Sequence, residues 1–532
     1  MRGKKIRVAI LMSNNKVQSW QYLMLQQIID SVFAEIVLVI HSRNNDRPRK
    51  KSFFSAFLLR TYTALESNLT RQKPAFGYAD ASMLLKQVPV LNTISITEND
   101  DLQQLVFEDI LKIKAHEPSV LINLTGYRFK GEILKVAEHG LWAYDPPGDF
   151  RHSVFRNALI NNNPDWAITL KKYDFQSPEG VVLYESFSAK NILLSKTINW
   201  QYWKAASFVL RELNQTGGVR NCHKSLENRP AVATSSGSIM LFLAKQFFLL
   251  LQKKFFRMGP TEQWAFYFNP ANTALLNFDF LNYHKIQPPS DRFWADPCVF
   301  SLDNRNHYVF FEEYIYAKKK AHISVLHLNK NNKTPEAIRV LEKDYHLSYP
   351  FVFSDKDDNI YMIPESSANN SIDLYKCESF PGKWEFVMNL INNVHAVDTT
   401  VHFIDNMYWM FTGIRANPGA SDWDELCIFF SDKLLTSEWH AHPCNPVVSD
   451  VRKARPAGNI FSQNGKFYRP SQDCSKTYGY AININEIVTL SVTEYIEKKV
   501  GSIEPWRNDI SAVHSYFTFG DVSVVDARIK TM

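Results

Sequence analysis

The sequence predicts two architectures in one chain: an α/β unit on a mostly parallel sheet, then an all-β unit folded as a five-bladed β-propeller. Three observations predict this. Up to residue 214, apolar runs of strand length alternate with helical periodicity, the pattern of βαβ units. Residues 215–238 are polar, carry Gly217-Gly218 and Pro230, and break that pattern. From residue 263 short strands and turns follow a cadence that opens at Asp296-Pro297, Tyr349-Pro350, Asp398-Thr399 and Arg455-Pro456. These openings, at 296, 349, 398 and 455, lie 53, 49 and 57 residues apart. Self-similarity at roughly 40–50 residues with several strands per repeat marks a propeller.

The first unit, residues 1–214, begins with a buried strand at 6–11, a helix at 20–33 and a second strand at 35–40. A helix is expected at 102–113, a strand at 119–124, a helix at 131–138, a strand at 141–144 and helices at 198–213. In such sheets ligands bind beyond the carboxyl ends of the strands, here 12–15, 125–128 and 145–151. Residues 215–262 form a linker with an amphipathic helix over 239–251. That apolar run is 13 residues long and short of the ~20 a spanning helix needs. Lys253, Lys254 and Arg257 follow it, which suits peripheral membrane contact.

In the second unit, residues 263–532, four repeats are visible and both flanks also read as strands. One blade drawn from both ends makes five. Asp357-Asp358-Asn359, Asp405-Asn406 and Asn464-Gly465 mark hairpin turns.

With 45% hydrophobic and 14% aromatic residues, the 532-residue chain has ample material for two cores. The formal charge of +6 is spread without a basic stripe, and the run at 43–51 reads as a solvated loop, so nucleic acid is not expected as a partner. Six cysteines without CxxC spacing read as reduced thiols of a cytoplasmic protein and give no metal site.

The start of each blade's first strand and the end of its second share one rim. That geometry gathers Asp296, Glu312, Glu313, Glu365, Asp398, Arg455, Arg469 and Asp473. Glycosyl transfer or cleavage needs one protonated carboxyl to assist the leaving oxygen and one carboxylate to act as base or nucleophile. Neighbouring negative charge keeps one of them protonated near neutral pH. Asp296, Glu365, Glu313 and Asp398 are the candidates for these roles. Arg455 and Arg469 suit holding the acids ionised or binding an anionic substrate group, and Gln472 and Asp473 suit substrate binding. Trp294, Tyr314, Tyr349, Trp409 and Tyr478 suit either sugar faces or packing between blades.

Residues 5–185 resemble the formyltransferase domain of methionyl-tRNA and sugar N-formyltransferases. The likeness rests on the first strand at 6–12, Val120–Phe129 (VLINLTGYRF) leading to Gly140-Leu141-Trp142, and the strand Ala167-Ile168-Thr169-Leu170. It implies a Rossmann-like parallel sheet. The family's chemistry uses Asn-x-His after that Gly, and an Asp before a downstream Gly. At the first two positions this chain has Trp142 and Tyr144, and Pro178 precedes Gly180. Asp145, Asp149 and His152 lie in the same loop, and Glu179 is beside the missing Asp. The fold is expected without its usual catalysis, and no cofactor is expected. An amino-sugar N-formyltransferase using formyl-tetrahydrofolate is the alternative.

Residues 263–528 resemble the N-terminal region of plant glucosamine inositol phosphorylceramide transferases and bacterial relatives. Phe293–Pro297, Phe310–Tyr314, His346–Pro350, Tyr361–Ser366, Val397–Thr400, Trp439–Pro446, Arg455–Gly458 and Arg469–Asp473 carry this. More distantly the unit looks like five-bladed glycosidases, whose Ala/Asn-Asp-Pro motif Asp296 matches, and that likeness implies Asp296 as base or nucleophile, Glu365 as acid with Glu313 in reserve, and Asp398 as the tuning carboxylate. The resemblances imply a carbohydrate-active protein of polysaccharide or glycolipid metabolism, taking a saccharide, nucleotide-sugar or glycolipid substrate. A non-catalytic sugar-binding scaffold is the further alternative.

Overall fold

The computed structural model describes residues 5–44, 61, 74–99, 102–145, 166–189, 191, 193–216, 241, 244, 262–271, 275–303, 305–329 and 336–530. Asp149, His152, most of the 43–51 run and nearly all of the 239–251 helix lie outside them. The chain divides into two compact units, Met1–Phe255 with Ala416–Ser421, and Phe256–Arg415 with Asp422–Met532.

The first unit is a nine-stranded sheet. From one edge it runs Val181–Ser188, Trp166–Tyr173, Leu141–Asp145, Val120–Asn123, Ile6–Met12, Ala34–Asn44, Val90–Asn99, Leu102–Leu105 and Arg128–Phe129. The five strands from Leu141–Asp145 to Val90–Asn99 are parallel, and Trp166–Tyr173 closes one side antiparallel. The central strand, Ile6–Met12, is apolar on both faces because helices cover both. Residues 102–105, expected to open a helix, instead form a strand and the helix is Phe107–Lys114. In that strand Gln103 and Leu105 are buried while the residues between are not, a period of two that pairs it with Val90–Asn99. The segment at 131–138 is a 3₁₀ turn, Gly131–Lys135.

The second unit is a five-bladed propeller. Blade one is Arg292–Ser301, His307–Ile315, Lys320–Leu328 and Ile338–Leu341. Blade two is Ser348–Ser354, Ile360–Glu365, Ser371–Ser379 and Lys383–Asn392. Blade three is Ala396–Ile404, Met407–Ile414, Leu426–Ser431 and His440–Ala441, and blade four Phe461–Gln463, Lys466–Asp473, Ala481–Leu490 and Tyr495–Ile503. Blade five joins both ends of the unit: Glu262–Asn269, with His284–Ile286 on its outer edge, pairs onto Val522–Lys530, whose other edge holds Ile510–Ala512 and Tyr516–Phe519. Eight consecutive pairs, Glu262↔Lys530 to Asn269↔Ser523, close the ring. Apolar alternation on both faces of each blade supplies the packing between blades, as with Phe310, Met362 and Met410 in one continuous cluster. Asp405-Asn406 and Asn464-Gly465 sit in left-handed backbone at the tips of first hairpins, as their sequence requires.

Cys298, Cys377 and Cys474 are free thiols, but Cys444 is disulfide-bonded. The expectation of thiols reduced throughout is therefore corrected. Among the described residues no helix is long and apolar enough to cross a membrane.

Candidate functional site

The repeat openings have a single structural cause. In blade one Ala295 pairs with Glu312 and Cys298 with Phe310, so Asp296 and Pro297 together oppose Phe311. Tyr349-Pro350 and Asp398-Thr399 make the same two-against-one bulge in blades two and three. The first residue of each bulge has positive φ: Asp296 at 51°, Tyr349 at 42° and Asp398 at 51°. Non-glycine residues adopt this conformation only where surrounding structure enforces it, and such residues gather at functional sites. Arg455-Pro456 holds the equivalent place in blade four, where Gln472 N–H donates to the Arg455 carbonyl. In blade five the inner strand breaks at His514-Ser515. Gly458, at φ 146°, lets blades four and five meet there, since a Cβ would lie 1.8 Å from the Tyr516 carbonyl oxygen. The five dipeptides turn Asp296, Tyr349, Asp398, Arg455 and His514 toward one centre.

Asp296 is buried among partners from blade five. Its Oδ1 accepts from Ser515 Oγ at 2.9 Å and lies 3.3 Å from His514 Nε2, while its N–H donates to Asp526 Oδ2 at 3.0 Å. The other imidazole nitrogen, Nδ1, is 2.6 Å from Asp526 Oδ2, and the ring stacks on Trp264 at 4.1 Å. Burial lowers the His514 pKa, but the Asp526 and Asp296 carboxylates outweigh it and hold it at about 9, so the ring is cationic at neutral pH. Burial raises the Asp296 carboxyl; His514 opposes that, while Glu312, Asp398 and Asp526 add to it. Asp296, His514 and Asp526 also place ligand-type atoms within 4.8 Å of one another. Asp526 already accepts the backbone N–H groups of His514, Ser515 and Asp296 and forms an ion pair with the His514 ring.

Asp398 accepts from Arg455 Nε at 2.5 Å, Arg455 Nη2 at 3.1 Å and Gln472 Nε2 at 3.1 Å. Glu365, from the end of blade two's second strand, is 3.6 Å from Arg455 Nη2 and accepts from Ser367 Oγ at 2.9 Å. Burial raises both carboxyls, and each sees the other. Two buried acids against one guanidinium hold one shared proton near neutral pH. Three donors converge on Asp398 and favour its ionised form, while burial and the Glu365 carboxyl oppose that.

Other predicted residues go elsewhere. Strand alternation sends Glu312 and Glu313 to opposite faces of blade one. Glu312 meets His346 Nε2 at 3.2 Å. Glu313 accepts from Arg292, Trp294, His322 and Ser324 at 2.7–3.1 Å. Burial raises its pKa, but those four hydrogen bonds pull it to about 2, so it stays ionised and has no lone pair left for a substrate. We expect Glu313→Gln to cost about 3 kcal/mol, the usual result of removing one partner from a buried charge cluster. Glu313's share of stability is present above its ordinary 4.5 and is lost as pH falls toward 2. Thermal melts of both proteins at pH 7 and pH 3 should therefore differ more at pH 7.

Arg469 is clamped by Glu497 at 2.9 and 3.0 Å inside blade four and does not reach the centre. Asp473 caps its own turn through Ser475. Trp294 packs on Phe266 and Phe311, and Trp409 on Phe430. Tyr349 is fully buried beside Asp398 and Asp296, and burial foremost raises its pKa. His514 and Asp526 were not anticipated from sequence. The signal was present: His514 follows Arg455 by 59 residues, one more step of the cadence.

In the first unit Trp142 and Tyr144 are core residues. Trp142 Nε1 donates to the His139 carbonyl at 2.8 Å and Tyr144 Oη to that of Ala205 at 2.7 Å. Asp145 pairs with Lys171 at 2.5 Å. A cavity at the carboxyl ends of the parallel strands is lined by Asn123, Tyr127, Tyr144, Asp145 and Tyr173.

Among solved structures, a thermostable family-43 glycoside hydrolase is similar with a TM-score of 0.33 and 11% identity, covering 47% of this chain and 88% of that one. The α-L-arabinanase of Penicillium chrysogenum complexed with arabinobiose gives 0.31 and 15%, covering 45% and 77%. The glucosamine inositolphosphorylceramide transferase 1 proteins of Oryza sativa subsp. japonica and Arabidopsis thaliana are each 32% identical over 211 residues, 39% of this chain. The chain spans 28% and 27% of those proteins' own lengths. Residues 270–508, most of the propeller, match the family described as glucosamine inositolphosphorylceramide transferase 1, N-terminal.

Proposed function

We propose that the propeller rim cleaves or transfers a glycosyl unit of a glycolipid or polysaccharide. The observation that carries this is the convergence of three buried carboxyls from three blades in unlike electrostatic settings. Glu365, protonated beside ionised Asp398, gives its proton to the leaving oxygen. Asp296, raised to about 7 by burial against the pull of cationic His514, in its ionised form takes a proton from water or an acceptor hydroxyl, or attacks the anomeric carbon. Arg455 and Gln472 fix Asp398, which in turn keeps the proton on Glu365. The family matched by residues 270–508 carries a glycolipid transferase in its name, which supports a sugar-lipid substrate.

The test is turnover of a panel of aryl glycosides, nucleotide sugars and glycosylated inositol phospholipids by the whole chain. A wild type inert across that panel sinks the reading. The pH profile adds a specific prediction. Rate should be bell-shaped, with the acidic limb set by Asp296 and the alkaline limb by the Glu365–Asp398 pair. Removing the cation in His514→Gln takes away what lowers the Asp296 pKa. The acidic limb should then move to higher pH while the alkaline limb stays. A His514→Gln profile that superimposes on wild type removes His514 from the scheme.

A further inference from the structure

Two groups of aromatic side chains lie on the same rim as the carboxyls, and the chemistry above uses neither. On blade one, Phe293 and Tyr314 stack with centroids 4.8 Å apart and planes 5° from parallel. Tyr316, on the turn that follows, is 6.2 Å from both and 40% exposed. Tyr314 is 6.1 Å from the imidazole of His346, which reaches Glu312. The second group comes from the turns after the second strands of blades three and four. There Trp423 and Tyr478 have centroids 5.3 Å apart, both half-buried. Tyr478 covers the Arg455 guanidinium at 5.1 Å and meets the edge of His514 at 5.6 Å. Gly479 makes that approach possible: at φ 59°, a Cβ there would sit 2.6 Å from the Cβ of His514.

In a ring of five, blades three and four stand opposite blade one, so the two groups flank the carboxyls from opposite sides. A pyranose has an apolar C–H face that covers an aromatic ring and an edge of hydroxyls that donates to carboxylates. We infer that the rim is a groove for a glycan of at least two sugar rings, one on Phe293–Tyr314–Tyr316 and one on Trp423–Tyr478, with the linkage between them over Asp296 and Glu365. This rests on the reading above only for the position of the reacting bond. The groove itself stands on the two platforms.

The experiment is calorimetric titration of the whole chain with monomer, dimer, trimer and tetramer series of β-1,4-linked glucosamine, N-acetylglucosamine, glucose and galactose. The expected result is at least one series in which the dimer binds about tenfold or more tighter than the monomer, the scale of an added aromatic anchor. Tyr314→Ala and Trp423→Ala should each lose that gain, while Tyr314→Phe and Trp423→Phe keep it and show that the fold tolerates change there. Equal affinity for monomer and dimer, no binding in any series, or alanine variants that bind like wild type would each overturn the groove.

The best oligomer on a phosphatidylethanolamine anchor in phosphatidylcholine vesicles should bind as the free oligomer does. Binding to vesicles alone would also overturn it. Length-dependent binding without turnover would keep the groove and sink the chemistry. Turnover of simple glycosides without length dependence would do the reverse.

Discussion

Replacing Asp296 with asparagine is expected to lower kcat by about a thousandfold or more, the usual scale for removing a nucleophile or base, and to leave the fold as stable or more stable. The two effects share one cause. Burial raises the Asp296 carboxyl above its unfolded value. A folded pKa above the unfolded one means the ionised form costs stability at neutral pH, and that cost vanishes as pH falls below the unfolded value. Asparagine is neutral at every pH and its Oδ1 still accepts from Ser515 Oγ. His514 keeps Asp526 as counter-ion. The variant should melt at or above the wild-type temperature at pH 7.5, and the two curves should converge near pH 4. Such a residue is retained against stability, which is common at reacting centres. Unchanged turnover would remove Asp296 from the chemistry, and a large drop in melting temperature would make it a structural cap.

Much of this was legible in the sequence, because a propeller repeats and the repeat is fixed by backbone geometry. The cadence from Asp296 to Arg455 is the spacing of bulges, and each bulge needs two residues where its partner strand has one. Proline suits the second bulge position, since Pro297 and Pro350 give up an N–H the ladder does not use there. Closure by both ends is also readable, since the stretches before Asp296 and after Ile487 both read as strands beyond the four visible repeats.

What sequence did not show was direction. Glu312 and Glu313 are neighbours, and only the register of Ala295 with Glu312 says which one faces His346 and which is sealed against Trp294. Arg469 has the spacing of a rim residue, but Glu497, two strands away in the same blade, takes its Nε and Nη2, and the Lys453 carbonyl also accepts from Nη2. His514 lies outside the four repeats that the cadence marks, because blade five is assembled from both ends of the unit and its inner strand comes in the last stretch of the chain. Residues 102–105, Leu-Gln-Gln-Leu, fit the start of a helix or a strand equally until the sheet partner is known, because so short a segment carries no period of its own.

Replacing Arg455 with methionine is expected to cost about 3–5 kcal/mol at pH 7.5, the penalty for leaving a buried charge without its partner. Arg455 is 6% exposed, holds Asp398 through two nitrogens, and approaches Glu365 at 3.6 Å. Methionine fills similar space but leaves two buried carboxyls with no cation. Their folded pKa values then rise further above the unfolded ones, so the deficit is full at alkaline pH and shrinks as pH falls and both acids take up protons. Melting temperatures of wild type and Arg455→Met should therefore differ most near pH 8 and least near pH 5. Arg455→Met/Asp398→Asn should recover most of the loss, because it removes the stranded charge together with its partner. Arg455→Lys keeps the charge without the fork that grips both Asp398 oxygens, and should fall between. Turnover separates clamp from substrate contact. If Arg455 acts through Asp398, the double variant regains stability but not rate, since nothing then holds the proton on Glu365. If Arg455→Met melts like wild type at both pH values and loses only substrate affinity, the guanidinium serves the ligand, and Asp398 is stable in the core without it.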